Sequence, residues 1–129
     1  MDLWLDLETK SRVDVKRVGS WRYANDPSTA KLCIAVAWDE DKPEIIDVDE
    51  LRLEVGEADR IFAHNATFER DILKCVLGID TNVDQWIDTA AFAAANGLPR
   101  KLETLCEVLH LPRDQAKDKR GKRLIAMLC

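Results

Sequence analysis

Residues 1–10, MDLWLDLETK, carry the reading that decides the fold. Leu3, Leu5 and Leu7 alternate with Trp4, Asp6 and Glu8. This is the two-residue period of a strand that buries one face and turns the other away. Asp6 and Glu8 then share a face, with Cα atoms roughly 6.5–7 Å apart. On an exposed edge strand such a pair is surface decoration. Here the opposite face is all leucine and apolar strands follow, so the strand is expected near the middle of a sheet. Two carboxylates side by side there repel each other unless a cation neutralises them.

Outward from that strand, Lys31–Trp38 (KLCIAVAW) reads as a second, central strand, Asp39–Pro43 as a turn and Glu44–Val48 as a third strand. Val18–Asp26 is expected to make a short helical excursion between the first two strands, closed by Asn25-Asp26-Pro27. A modest helix over Asp49–Ala58 and a short strand over Arg60–Ala63 come next. Asn65 is then placed to cap a helix over Ala66–Leu77, with Phe68, Ile72, Cys75 and Val76 as its buried stripe and Gly78 as its stop. Val83–Ile87 is a candidate fifth strand, followed by helices over Thr89–Asn96 and Lys101–Leu109 and the start of another at Gly121–Leu128. The pattern is a mixed α/β domain, a five-stranded sheet flanked by helices.

A chain of 129 residues is one domain by length, and 47% hydrophobic with 33% charged residues excludes a disordered tail. No apolar run approaches a membrane span, and the opening residues lack a basic n-region, so neither a membrane partner nor a signal peptide is expected. Cys33, Cys75, Cys106 and Cys129 are widely spaced with no C-x-x-C pair, which argues for reduced thiols over a zinc site or disulfide framework. A net charge of −5 argues against coating nucleic acid by bulk electrostatics. The charge is uneven: basic side chains collect late, at Arg113, Lys117, Lys119, Arg120, Lys122 and Arg123. That run reads as a solvated loop, or more sharply as a contact for a phosphate backbone.

The second informative stretch is residues 64–73, HNATFERDIL. It places Glu69 in the first turns of a helix, behind Asn65 and Phe68. Glu69 could simply complement the helix dipole, Asn65 cap the helix, Phe68 fill the core and His64 be a hydrogen-bonded structural residue. Joined to Asp6 and Glu8, however, Glu69 completes an all-oxygen set suited to Mg²⁺ or Mn²⁺ and to phosphoryl chemistry.

The order of these pieces resembles the DnaQ-like (DEDD) 3′–5′ exonucleases of the ribonuclease H-like superfamily. Their first motif, D-x-E, matches Asp6 and Glu8, with Thr9 following. Their second, commonly H-N-x-x-F-D, matches His64, Asn65, Phe68 and Glu69, with Glu for Asp. The likeness continues through Asp88-Thr89 and Leu102–Cys106. The second-motif variant, Gly19–Pro27 and the ending KDKRGKRLI look most like the exonuclease domains at the front of phage-type family A DNA polymerases. The resemblance implies a ribonuclease H-like fold and a two-metal site holding Mg²⁺ or Mn²⁺ on Asp6, Glu8 and Glu69. It implies that His64, Asn65 and Phe68, with backbone near Leu7 and Thr9, contact the terminal nucleotide. Asp88 is either a helix N-cap, the preferred reading, or a further metal-site carboxylate. The implied partners are the 3′ end of single-stranded DNA or a primer terminus, and a polymerase domain C-terminal to this segment. The implied setting is phage or prophage, in the cytoplasm of a bacterial host.

The family's third motif, a Tyr or His followed by x-x-x-D on a late helix, is not found as such. The only string of that form is His110–Asp114, and Pro112 within it would break the helix that must align the two side chains. It is read as a chance match, with the true motif expected beyond residue 129. Two functional classes therefore stand: a metal-dependent proofreading exonuclease, and a catalytically inactive exonuclease-like fragment that binds nucleic acid or protein.

Overall fold

The structure is a computed structural model and describes residues 1–112. The expected Gly121–Leu128 helix, the late basic side chains and Asp114 lie outside the described residues. The five strands among the described residues are β1 (Asp2–Lys10), β2 (Ala30–Trp38), β3 (Glu44–Ile45), β4 (Arg60–Ala63) and β5 (Trp86–Asp88). The helices among the described residues are α1 (Val15–Asn25), α2 (Val48–Glu57), α3 (Ala66–Cys75), α4 (Thr89–Ala95) and α5 (Leu102–Val108). The strands form one mixed sheet in the order β3-β2-β1-β4-β5. β1 pairs antiparallel with β2 and parallel with β4, so the strand that carries Asp6 and Glu8 is central.

The leucine face of β1 is buried as its period requires: Leu3 is 0%, Leu5 5% and Leu7 4% exposed. In register with these residues stand Val36 and Ile34 of β2 and Ile61 of β4. Leu51 and Val55 of α2, Tyr23 and Ala24 of α1, and Ile72 and Leu73 of α3 complete the core. Each large aliphatic side chain so enclosed contributes roughly 1.5–3 kcal/mol. On the other face Trp4, 42% exposed, stacks on Phe62 of β4 at 4.4 Å between ring centroids.

Several boundaries differ from expectation, each for a local reason. β3 is only two residues long, because the Asp47 carboxylate accepts from the Glu50 amide at 2.8 Å and starts α2 at Val48. Val83–Gln85 form a 3-10 turn capped by Asn82, leaving β5 to begin at Trp86. α1 starts at Val15, capped by Asp14, and is kinked at Gly19, whose φ of 80° and ψ of 163° only glycine adopts readily. The fully buried stripe of α3 is Ala66, Glu69, Ile72 and Leu73, with Phe68, Cys75 and Val76 partly buried against the same core. Asn65 stands at the cap position but in a left-handed conformation (φ 66°), with no side-chain cap bond. Gly78, at φ 64°, ends α3 as expected.

Candidate functional site

The β1–β4 ladder runs only from Asp2–Arg60 to Trp4–Phe62. Beyond Trp4, β1 keeps its pairing with β2 while β4 turns into α3. The two parallel strands therefore part at their C-terminal ends, the end at which open α/β sheets bind ligands. Asp6 and Glu8 stand on β1 at that end, and the first turn of α3 carries Glu69.

Glu69 is the anomaly of the site. It is a carboxylate in a helix stripe otherwise made of Ala66, Ile72 and Leu73, it is 4% exposed, and its Oε2 has no hydrogen-bond partner. Burial pushes its carboxyl from the ordinary 4.5 up to about 8, against the pull of a hydrogen bond from its own backbone amide. The negative charges of Asp6, Asp88 and Glu8 push it further in the same upward direction. An ordinary helix-dipole glutamate would be solvated and would show none of this. Glu69 thus senses both carboxylates of β1.

An orphaned, desolvated carboxylate oxygen within electrostatic reach of three others is a donor set of the right chemistry for a hard divalent cation. The side chains are not drawn into a closed cage. Among the described residues no three His, Cys, Asp or Glu side chains gather closely enough to hold a metal ion.

The remaining expected residues divide. Asp88 is the N-cap of α4: its Oδ1 accepts from the Ala90 amide at 2.9 Å and the Ala91 amide at 3.4 Å. The same oxygen accepts from the Asn65 amide at 3.0 Å, so one carboxylate ties the start of α4 to the start of α3. His64 is half-buried, with Nδ1 2.9 Å from the Thr89 hydroxyl and Nε2 2.5 Å from the Arg100 carbonyl oxygen. Phe68 leans on the core and on Tyr23, 5.7 Å between ring centroids. Leu7 points into the core, and Thr9, 6% exposed, shares a 2.8 Å hydrogen bond with the Tyr23 hydroxyl. His110 is exposed just past α5 at φ 57°, in a helix-terminating turn, while its companion Asp114 lies outside the described residues.

Sequence reasoning missed Tyr23 and Cys33. Cys33 pairs with Glu8 across β1–β2; burial pushes its thiol up, and the charges of Glu8 and Asp6 add to that rise. A lone tyrosine in a polar stretch was the only signal for Tyr23, and strand register, which places Cys33, is not readable residue by residue.

No helix among the described residues is long and apolar enough to cross a membrane. No protein-family model matches the chain. The chain is 36% identical over 131 residues to the DNA polymerase of Bacillus phage SP02. That alignment takes in 95% of this chain and 20% of the polymerase, so the chain spans about a fifth of its relative's length. The sequence is thus homologous to one segment of a phage DNA polymerase.

Proposed function

We propose that the chain is a ribonuclease H-like 3′–5′ exonuclease domain of a phage-type DNA polymerase, acting on the 3′ end of single-stranded DNA or a primer terminus. The observation that carries this reading is Glu69, a buried carboxylate with an unpartnered Oε2, whose proton affinity burial raises and Asp6 and Glu8 raise further. The strand order, with D-x-E on a central strand beside the helix of the second motif, supports the fold assignment. The homology to a phage polymerase supports the setting.

Asp6, Glu8 and Glu69 would hold Mg²⁺ or Mn²⁺, with Asp88 near enough to add negative charge while capping α4. When bound, the divalent cation supplies Lewis-acid stabilisation of charge on the phosphodiester being cut. With its carboxyl pushed up to about 8, Glu69 would have to lose a proton to serve as a ligand, and cation binding would then strengthen as pH rises. Asn65 and Phe68, at the start of the same helix, and backbone near Leu7 and Thr9 would contact a terminal nucleotide. The His64 bonds to Thr89 and Arg100 fix the β4–α3 corner against α4 and the approach to α5.

A second reading, an inactive module that binds nucleic acid or protein, is favoured by one observation. His110, which opens the third-motif string, is exposed in the turn that ends α5. Shortening of a 3′-labelled single strand in Mn²⁺, by the wild type and by Asp6→Ala, separates the two. The exonuclease reading expects slow, metal-dependent shortening that Asp6→Ala abolishes. Mn²⁺ binding with no shortening favours the second reading, and shortening that survives Asp6→Ala refutes the site.

A further inference from the structure

The carboxylates of the candidate site belong to two elements, β1 and α3, that share no hydrogen-bond ladder where the carboxylates stand. Something else must fix the distance between them. Opposite the Glu8–Thr9 step the β1–β2 register shifts: Glu8 pairs with Cys33 but Thr9 with Lys31, leaving Leu32 as an extra residue. A bulge of this kind bends the strand that carries it, here β2, and breaks the ladder beside Glu8 and Thr9.

Tyr23 of α1 meets that point from the core side. It is 7% exposed, its hydroxyl lies 2.8 Å from Thr9 Oγ1, and its ring packs on Phe68, the neighbour of Glu69. α1 is itself fastened at both sides of this contact. The Ser20 hydroxyl donates to Asp71 of α3 at 2.5 Å, and Thr29 Oγ1 donates to the Tyr23 carbonyl at 2.6 Å. The kink at Gly19 lets the Ser20–Asn25 half of α1 lie along α3 in this way.

We infer that Tyr23 is a positioning residue for the carboxylate site: its hydroxyl holds the bulge after Glu8 and its ring holds the turn that carries Glu69, so it sets the spacing of the two. The inference rests on the cation-binding reading above. A buried tyrosine that only filled the core would need its ring and no partner at the strand step beside the carboxylates.

The test is Mn²⁺ affinity of the full chain, read by calorimetry, together with thermal midpoints in EDTA. The variants are Tyr23→Phe, Thr9→Val and the two combined. Tyr23→Phe keeps the ring against Phe68 and removes only the hydroxyl. It is expected to weaken Mn²⁺ binding roughly 3- to 10-fold, the span of one buried hydrogen bond acting through a second layer of contacts. Thr9→Val should do the same, and the double variant should be no worse than either single one, because both cut one link. Tyr23→Leu, which also loses the ring contact, should weaken binding further. Variants that melt earlier yet bind Mn²⁺ as tightly as wild type would overturn the positioning role while leaving the cation site standing. A wild type that binds no Mn²⁺ overturns the cation site and this inference with it.

Discussion

Replacing Glu69 by Gln should stabilise the cation-free protein above neutral pH and leave it unchanged below pH 5. Gln keeps the shape of the side chain and removes its titration. The raised pKa means that the folded protein still holds the Glu69 proton after the unfolded chain has released it. Between about 4.5 and about 8 the folded state therefore binds more protons, and stability falls as pH rises through that window. The fall is complete above the folded pKa. A rise from 4.5 to about 8 corresponds to roughly 5 kcal/mol at 1.36 kcal/mol per pH unit. Water entry and local relaxation reduce this ceiling, and on the order of 1–3 kcal/mol is the expected observable. Urea unfolding in EDTA from pH 4.5 to 9 measures it, with the difference between wild type and variant cancelling every other titration. Mn²⁺ at pH 8 should reverse the order, since a ligand at 100 times its Kd adds about 2.7 kcal/mol to the form that binds it. A wild-type-minus-variant difference that is flat across the pH range would refute the buried, coupled carboxylate.

Three further outcomes are expected. Asp6→Asn should leave the EDTA melting temperature equal or higher, because it removes a charge that repels Glu69. It should also abolish the Mn²⁺-induced rise in melting temperature, and a retained rise would show that Asp6 is no ligand. Asp88→Ala should cost about 1–2 kcal/mol in urea unfolding, since it uncaps α4 and frees the Asn65 amide together. Gly19→Ala should cost on the order of 1–3 kcal/mol by the same measurement, through backbone strain alone, because a Cβ there meets nothing within 4 Å.

The strand period in Asp2–Lys10 was legible because a leucine face and a polar face differ in hydropathy at every step, and burial follows it residue by residue. Gly78 and Asp88 were legible for a different reason: helix ends are written in local backbone chemistry. Asn65 misled because the αL backbone that it permits competes with the side-chain cap it usually supplies. The stripe of α3 was displaced toward Glu69 because a hydropathy pattern cannot assign a carboxylate to a buried position. Of the site, Asp6, Glu8 and Glu69 came from motif order. The desolvation of Glu69 and the Tyr23–Thr9 bond depend on contacts distant in sequence, where periodicity carries no information.

The brevity of the β1–β4 ladder has a kinetic side. β1 and β2 pair antiparallel from Leu3 to Lys10, and β3 extends them into a meander over moderate sequence separation, whereas β4 grips β1 through Asp2–Trp4 alone, across almost sixty positions of chain. Closing that longer loop yields few hydrogen bonds in return, so the parallel half of the sheet should dock after the meander has formed. It should also be the first part to detach in native fluctuations. Amide hydrogens of Ile61 and Phe62 would then exchange faster than those of Val36 and Ile34. The short β1–β4 junction would be the seam along which the folded protein comes apart, parting before the core melts.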